Sequence, residues 1–529
     1  MKPFAAPLND ILFCMNEVAG ATALDHWDPE FAGQLGEHFA GFAEGEIAPI
    51  DEPGDQQGCR LENGRVRMPD GFVQVYQAYA ENGWPSLTIP EEYGGQGLDA
   101  LMLAITSEIF TGACHSLQMV TGLVPGAVNT ILRFGTEDQK ARFIPPMASG
   151  ECLATMCLTE PGAGSDLSRI RCKAVEEADG WTLHGEKIFI SGGDQDMSPS
   201  ILHLVLARTG PHGIKDLSLF LCPSANSDGT RNAVSVTRIE EKMGLHASPT
   251  CQLAFDGAKA ELVGKPGDGL KAMFTIMNHA RSDVALQGVA HAARAHDVAL
   301  AYAAERTQGR KEDGSPAVLS DHADVKRMLD EMDLLAMSGR AMAHLAFVTM
   351  ETGDNPALVE MLTPVVKVFC TEAGMRAAEL GVQVLGGYGY LQEYRLEQTY
   401  RDARITAIYE GANGIHARML ATRLLGSKPA DAFEAFLSAE NDQFQNAALA
   451  TCLQSWREAR EALLAKSYPT PQAHDFMVLT GLALSAAVLS RMTAVADHHP
   501  DPARIRRVAT IGLRDSALLA PVQVARITA

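Results

Sequence analysis

Four short stretches carry side chains whose types and spacing could do chemistry. In Tyr400-Arg-Asp-Ala-Arg-Ile-Thr-Ala-Ile-Tyr-Glu410-Gly-Ala-Asn-Gly414, an apolar pair precedes a lone carboxylate and a glycine follows it. A carboxylate held by apolar walls has a raised proton affinity, which suits a general base. On the surface, the same Glu410 would merely cap a helix starting at Asn413. Leu158-Thr-Glu-Pro-Gly162-Ala-Gly164-Ser165-Asp166 combines small residues, hydroxyls and a carboxylate. Its glycines allow close backbone approach to a planar or phosphorylated ligand, or simply make a turn. Lys187-Ile-Phe189-Ile-Ser191-Gly-Gly193 places an aromatic and a hydroxyl two apart. On a strand they share a face, where the ring could stack and the hydroxyl bond to a ligand's edge; a strand Phe can equally be core. Gln383-Val-Leu-Gly386-Gly387-Tyr-Gly389-Tyr390 breaks a helix and could admit a phosphate-rich cofactor or form a plain loop.

The elements that must position these stretches follow from periodicity. Residues 1–150 are helical in pattern, with Leu101, Ile105 and Ile109 at helical spacing and a helix end expected at Pro145-Pro146. Residues 151–267 are strand-like: Trp181–Ile190 alternates, Leu202–Ala207 and Leu217–Leu221 are short apolar runs, and Val234–Ile239 has period two. Residues 268–428 return to long Ala-rich helices, for example Arg281–Arg310 and His322–Gly353, which suggest a bundle. A further helical segment fills 429–529. There Phe444, Ala448, Cys452, Trp456, Arg460 and Leu464 lie four apart, and Pro469 and Pro471 precede an apolar run from Phe476 to Ser490. The expected fold is mainly α with a central β domain.

The chain has 529 residues, 46% hydrophobic and 21% charged, the balance of a soluble globular protein. With 44 basic and 65 acidic residues its formal charge is −21, which argues against nucleic acid as a partner. The 15-residue run 476–490 is short for a membrane span, and Met1–Asp10 has no apolar signal core. Ten scattered cysteines without a CxxC pair fit reduced thiols and a cytoplasmic location. No GxSxG, HExxH, P-loop or GxGxxG occurs, and no histidine spacing favours a metal.

Taken in chain order, the four stretches resemble the acyl-CoA dehydrogenase family over roughly residues 35–425. The start, Phe4–Phe13, and the added C-terminal helices resemble a longer branch that includes the 3-methylmercaptopropionyl-CoA dehydrogenases. The resemblance implies a helical N-terminal domain, a middle β domain, a C-terminal helical bundle, bound FAD, and α,β-dehydrogenation of an acyl-CoA to a trans-2-enoyl-CoA. Glu410 matches the family base, which removes the α-proton while the β-hydrogen leaves as hydride to the flavin. The thioester carbonyl is polarised by the base's own N–H and a flavin ribityl hydroxyl. Some members place the base near the position of Ala280, but Met277-Asn-His-Ala-Arg281 holds no carboxylate.

By the same resemblance, Met156, Leu158, Thr159, Gly164 and Ser165 touch the flavin and the start of the pantetheine. Phe189 and Ser191 lie on the flavin ring, where the family usually has Trp and often Thr. Arg281 lies near the CoA nucleotide, and Ser165, Arg281 and Gly411 are substrate-binding positions. Arg306 and Gln308 match a stretch that reaches the flavin diphosphate across a dimer interface. Its spacing here is one residue shorter, and Gln replaces Phe. Gln383, Gly386 and Gly387 match a loop that reaches the neighbouring subunit's adenosine. A homodimer or dimer of dimers is therefore implied, with an electron-transfer flavoprotein as acceptor. The resemblance leaves open an acyl-CoA oxidase with the same base, or an inactive scaffold subunit.

Overall fold

A computed structural model describes residues 2–178, 180–226 and 228–529. The chain forms two compact units, neither of them one consecutive stretch: residues 45–99 with 113–280, and residues 1–44 with 100–112 and 281–529.

The first unit is built around a barrel-like sheet. A small hairpin, β1 (Arg60–Glu62) and β2 (Arg65–Arg67), precedes it and is absent from the periodicity reading. It is too short to show alternation, and a buried carboxylate holds it: Asp194 accepts from Arg65 Nε at 2.8 Å and Val66 N at 2.8 Å. The main strands are β3 (Cys152–Cys157), β4 (Lys173–Glu177), β5 (Gly180–Ser191), β6 (Ser200–Arg208), β7 (Leu217–Pro223), β8 (Val234–Ile239) and β9 (Thr250–Val263). Pairing runs β4–β5–β9–β7–β6 and returns to β4 through Lys173 and Arg208, so the circuit closes. β3 lies parallel to β6, and β8 adds to β9. Leu183, Val205, Phe220, Cys222, Cys251 and Leu253 fill the interior, all fully buried. Burying such side chains contributes about 1.5–3 kcal/mol each.

Pro145 and Pro146 do not end their helix. They sit in its last turn, Glu137–Ala148, whose entry is fixed by a Thr136/Gln139 capping box.

The second unit is helical. Its long elements include the helix Gly269–Glu305 (from Arg281), Ala323–Thr352 and Pro356–Leu385. The first stops at Glu305, short of the expected Arg310; residues Thr307–Arg310 instead form β10, paired with β11 (Pro316–Val318). Two helices touch backbone to backbone. A Cβ on Gly288 would lie 2.3 Å from the Cys370 carbonyl oxygen, and one on Gly374 would lie 2.6 Å from that of Gly288. Any larger residue would force the helices apart. Arg281 and Lys367 each lie seven residues, about two turns, before these glycines. Short helices Leu396–Ala403 and Asn413–Met419 flank the Glu410 loop.

The final segment forms four helices: Lys428–Phe444, Ala447–Leu464, Ala473–Val495 and Pro502–Thr528. The expected stripe from Phe444 to Leu464 is interrupted, because Gln445 takes a left-handed conformation (φ 49°) that ends one helix, and Asn446 N-caps the next. Within that helix Cys452 and Trp456 are buried, but Leu464 is exposed. The apolar run at 476–490 lies within a longer helix. That region and Ala100–Thr121 are long and apolar enough to cross a membrane, yet most of each apolar window is buried inside the protein. Trp456 Nε1 donates to Thr480 inside this core at 3.1 Å.

The chain's two ends are tied by a charge network. Asp10 accepts from Arg504, which also donates to Asp333, while Arg340 pairs with Glu108 at 2.6 Å and faces Asp10. The extra N-terminal turns and the added C-terminal helices therefore stabilise each other.

Candidate active site

In the sheet unit, the structure brings two of the four stretches together. Lys187 is fully buried and donates from Nζ to Glu160 Oε1 (2.8 Å) and the Leu158 carbonyl (3.0 Å). Glu160 also accepts from the backbone N–H groups of Arg171 (2.6 Å) and Cys172 (3.0 Å). Ile188 N donates to the Thr159 carbonyl at 2.9 Å. The loop carrying Leu158, Thr159, Gly164 and Ser165 is thus fastened to β5. A buried ion pair this well bonded is a positioning device, since its removal would strand a charge.

Phe189 is not on a regular strand face. The β5–β9 register slips between Lys187 and Ile190, and Phe189 takes φ 59°. This bulge corrects the expectation that Phe189 and Ser191 share a strand face through simple alternation. It also overturns the core reading, because the ring is 60% exposed. Gly164 and Ser165 are exposed too; Met156, Leu158, Thr159 and Ser191 are half-buried. A Cβ on Gly162 or Gly164 would meet nothing within 4 Å, so the backbone is open to a ligand. An exposed aromatic on a bulge beside an open glycine loop fits a flat ring system such as a flavin.

In the helical unit, Arg306 and the glycine loop come together. The Arg306 guanidinium lies 5.5 Å from the Tyr388 ring centroid, and Tyr394 packs edge-to-face on both Tyr302 and Tyr388, which are tilted against each other. The Gln308 carbonyl accepts from His322 Nε2 at 2.8 Å. Gln383, Gly386 and Gly387 are exposed, and neither glycine has an atom within 4 Å of a built Cβ. This surface could receive a phosphate-bearing group.

Glu410 sits on a strained turn, with φ 52°, followed by Gly411 at φ 93°. A non-glycine residue there costs about 1–2 kcal/mol, so its surroundings must enforce it. Three side chains do so. Arg281 Nε donates to the Glu410 carbonyl at 3.3 Å, and His416 Nε2 donates to the same oxygen at 3.1 Å. Lys367 Nζ donates to the Gly411 carbonyl at 3.0 Å and to Asn413 Oδ1 at 2.9 Å. The preceding Tyr409 hydroxyl donates to Gln287 at 2.5 Å, and Gln287 donates to Asp283.

The Glu410 residue is half-buried, but its Oε2 is shut off from solvent and has no hydrogen-bond partner. Burial, assisted by the nearby Asp283 carboxylate, lifts its proton affinity from the usual 4.5 to about 7, against the pull of Arg281 and Lys367. This excludes the reading of Glu410 as a surface cap: the helix beginning at Asn413 has Ala412 at its N-cap. Burial also depresses Lys367 to about 7 and, with Arg281 and Lys367 nearby, His416 to about 3. His416 is therefore neutral at physiological pH. The site offers an unsatisfied carboxylate poised between its two protonation states, which is what a general base needs.

Sequence reasoning missed Lys367, His416 and the Glu160–Lys187 pair as site-building residues. Lys367 had a signal: it stands alone in the apolar run Pro364–Cys370. Among the described residues no cluster of His, Cys, Asp and Glu could hold a metal.

Comparison with known proteins assigns the family. Residues 31–151, 155–258 and 267–425 match the N-terminal, middle and C-terminal domains of acyl-CoA dehydrogenases. The chain is similar to a 3-methylmercaptopropionyl-CoA dehydrogenase of Ruegeria pomeroyi, 38% identical over 87% of this chain and 84% of that protein. It is also similar to a broad-specificity linear acyl-CoA dehydrogenase of Mycobacterium tuberculosis, 34% identical over 79% of this chain and 74% of that one. An acyl-CoA dehydrogenase structure from Bacillus anthracis, complexed with FAD, shares the fold with a TM-score of 0.78 at 21% identity, covering 95% of this chain and 89% of that one. The matches to all three domains, together with these relatives, place the chain in the acyl-CoA dehydrogenase family of FAD-dependent oxidoreductases.

Proposed function

We propose that the protein oxidises an acyl-CoA thioester to the trans-2-enoyl-CoA, with Glu410 as the base. The observation that carries this reading is the unpartnered, buried Oε2 of Glu410 on a turn held by Arg281, His416 and Lys367. At neutral pH a substantial share of Glu410 is ionised and can accept the α-proton. Accepting it neutralises the carboxylate, which burial and Asp283 favour and Arg281 and Lys367 oppose. Arg281, whose Nε holds the Glu410 carbonyl, and Gly411 would therefore serve the thioester end rather than the CoA nucleotide, and Ser165 is a further proposed acyl-CoA contact. FAD, when bound, supplies the two-electron acceptor for the β-hydrogen. Met156, Leu158, Thr159, Gly164, Ser165, Phe189 and Ser191 would hold its ring. Arg306, Gln308, Gln383, Gly386 and Gly387 would hold its diphosphate and adenosine in a neighbouring subunit, which calls for a homodimer or dimer of dimers. A flavin reduced in this way needs an outlet, and an electron-transfer flavoprotein is the proposed partner in the cytoplasm.

The similarity to the Ruegeria pomeroyi enzyme favours 3-methylmercaptopropionyl-CoA or another short- to medium-chain acyl-CoA. Glu410→Gln tests the base. It should bind FAD and acyl-CoA yet fail to bleach the flavin anaerobically. A variant that reduces flavin at a near-native rate would move the base elsewhere.

A further inference from the structure

Lys367 is an anomaly among the residues around Glu410. Its side chain is fully buried in the middle of an apolar helix stretch. Taking an ammonium out of water costs several kcal/mol, and a buried lysine is normally matched to a carboxylate. The two partners resolved for Nζ are both neutral: the Gly411 carbonyl and the Asn413 carboxamide oxygen. Asn413 is itself oriented, because its Nδ2 donates to Glu372 Oε1 at 2.8 Å and to Thr371 Oγ1 at 3.1 Å. That fixes which end of the carboxamide faces Lys367. Both acceptors lie within three residues of Glu410, on the turn that carries its strained backbone.

We propose that Lys367 is the positioning residue of the base. Through the Gly411 carbonyl and Asn413 it locks the Glu410 turn, and its charge favours the ionised carboxylate. The proposal rests on the reading of Glu410 as the base. The geometry divides the work among three helices. Arg281 and His416 hold the Glu410 carbonyl, while Lys367 holds the next carbonyl along the chain. Two consecutive carbonyls held from different elements leave the turn little room to relax to a right-handed conformation.

The charged and titratable groups around the carboxylate are Arg281 and Asp283 from one helix, Lys367 and Glu372 from the second, and His416 from the third. Arg281 does not titrate in the working range, and His416 is neutral there. Lys367 is therefore the cation whose own protonation can change near neutrality, and it lowers the proton affinity of Glu410 directly.

The test compares wild type, Lys367→Met and Lys367→Arg as full-length, FAD-loaded protein. One readout is anaerobic flavin reduction in a single turnover across pH. The other is independent of turnover: carbodiimide labelling of the Glu410 carboxyl across pH, quantified by mass spectrometry. Lys367→Met should slow reduction about tenfold. It should also raise both the acid limb of reduction and the labelling midpoint by about half a pH unit or more, while acyl-CoA affinity stays close to wild type. Lys367→Arg, which keeps the charge, should keep the midpoint. A Lys367→Met protein with an unmoved midpoint would overturn the proposal, because a purely structural lysine has no reason to move it. If Lys367→Met does not fold, Asn413→Ala carries the test. It removes one acceptor of the ammonium, weakens its hold on the proton and must raise the Glu410 midpoint; no rise overturns the proposal. Should no acyl-CoA reduce even the wild-type flavin, the activity reading fails, while the labelling midpoint still decides the role of Lys367.

Discussion

Glu410→Gln should make the protein inactive and, at alkaline pH, more stable. Glutamine keeps the shape of the protonated acid and removes the ionisation. The folded protein raises the proton affinity of Glu410 from 4.5 to about 7. Between these values the folded state holds the proton more tightly than the unfolded chain. Stability from this group is therefore fully present below about pH 4.5 and is lost as pH rises through about 7. At about 1.4 kcal/mol per pH unit, the loss between about pH 5 and pH 8 is roughly 2–3 kcal/mol. Glu410→Gln does not suffer it. Removing the carboxylate also withdraws its support for the Lys367 ammonium, which trims the gain without reversing it. The assay is urea unfolding of wild type and Glu410→Gln, both saturated with FAD, at the two pH values. The variant's advantage should grow by roughly 2–3 kcal/mol from the acid to the alkaline condition. An advantage that is the same at both pH values would refute the reasoning, since the carboxylate would then not be held against its ionisation.

Three other changes probe the supports of the site. Lys187→Met leaves Glu160 buried without its cation, and should cost about 3–5 kcal/mol in urea unfolding while weakening FAD binding through the Leu158–Ser165 loop. Gly411→Ala puts a Cβ 2.8 Å from His416 Nε2 at φ 93°, and should cost about 1–2 kcal/mol and slow anaerobic flavin reduction. Phe189→Ala removes an exposed ring, so the FAD-free protein should change by less than about 0.5 kcal/mol. Its FAD affinity, measured by fluorescence titration, should fall by about 1 kcal/mol, roughly fivefold.

The fold was legible wherever periodicity is strong. The alternation of Val234–Ile239 and the apolar runs at 202–207 and 217–221 became strands of the sheet unit, and the Ala-rich stretches became the long helices. What periodicity could not carry were local breaks imposed by tertiary contacts. The β1–β2 hairpin is too short to alternate and depends on Asp194, 128 residues away from Val66. The helix expected to reach Arg310 ends at Glu305, where β10 finds its partner in β11. Gln445 splits an apparently continuous stripe through a left-handed backbone, a conformation that its residue type does not announce.

The candidate site divides in the same way. Glu410 was readable as a carboxylate between apolar neighbours, but its protonation depends on burial and on Asp283, Arg281 and Lys367, which lie up to 129 residues away in the chain. Phe189 was readable as an aromatic beside a hydroxyl, whereas its exposure comes from a bulge that alternation cannot foresee. Gly288 and Gly374 look like ordinary helix glycines until their carbonyl contacts show that they set the helix spacing.

The central claim is that Glu410 drives acyl-CoA oxidation, and the most direct measurement is an anaerobic visible titration of the FAD-loaded protein. The ligands are 3-methylmercaptopropionyl-CoA, butyryl-CoA, octanoyl-CoA and a branched acyl-CoA. Bleaching of the oxidised flavin bands by at least one thioester, and its absence in Glu410→Gln with the same ligand, is the predicted result. Flavin bands that none of these thioesters bleaches, or that bleach equally in Glu410→Gln, would contradict the account.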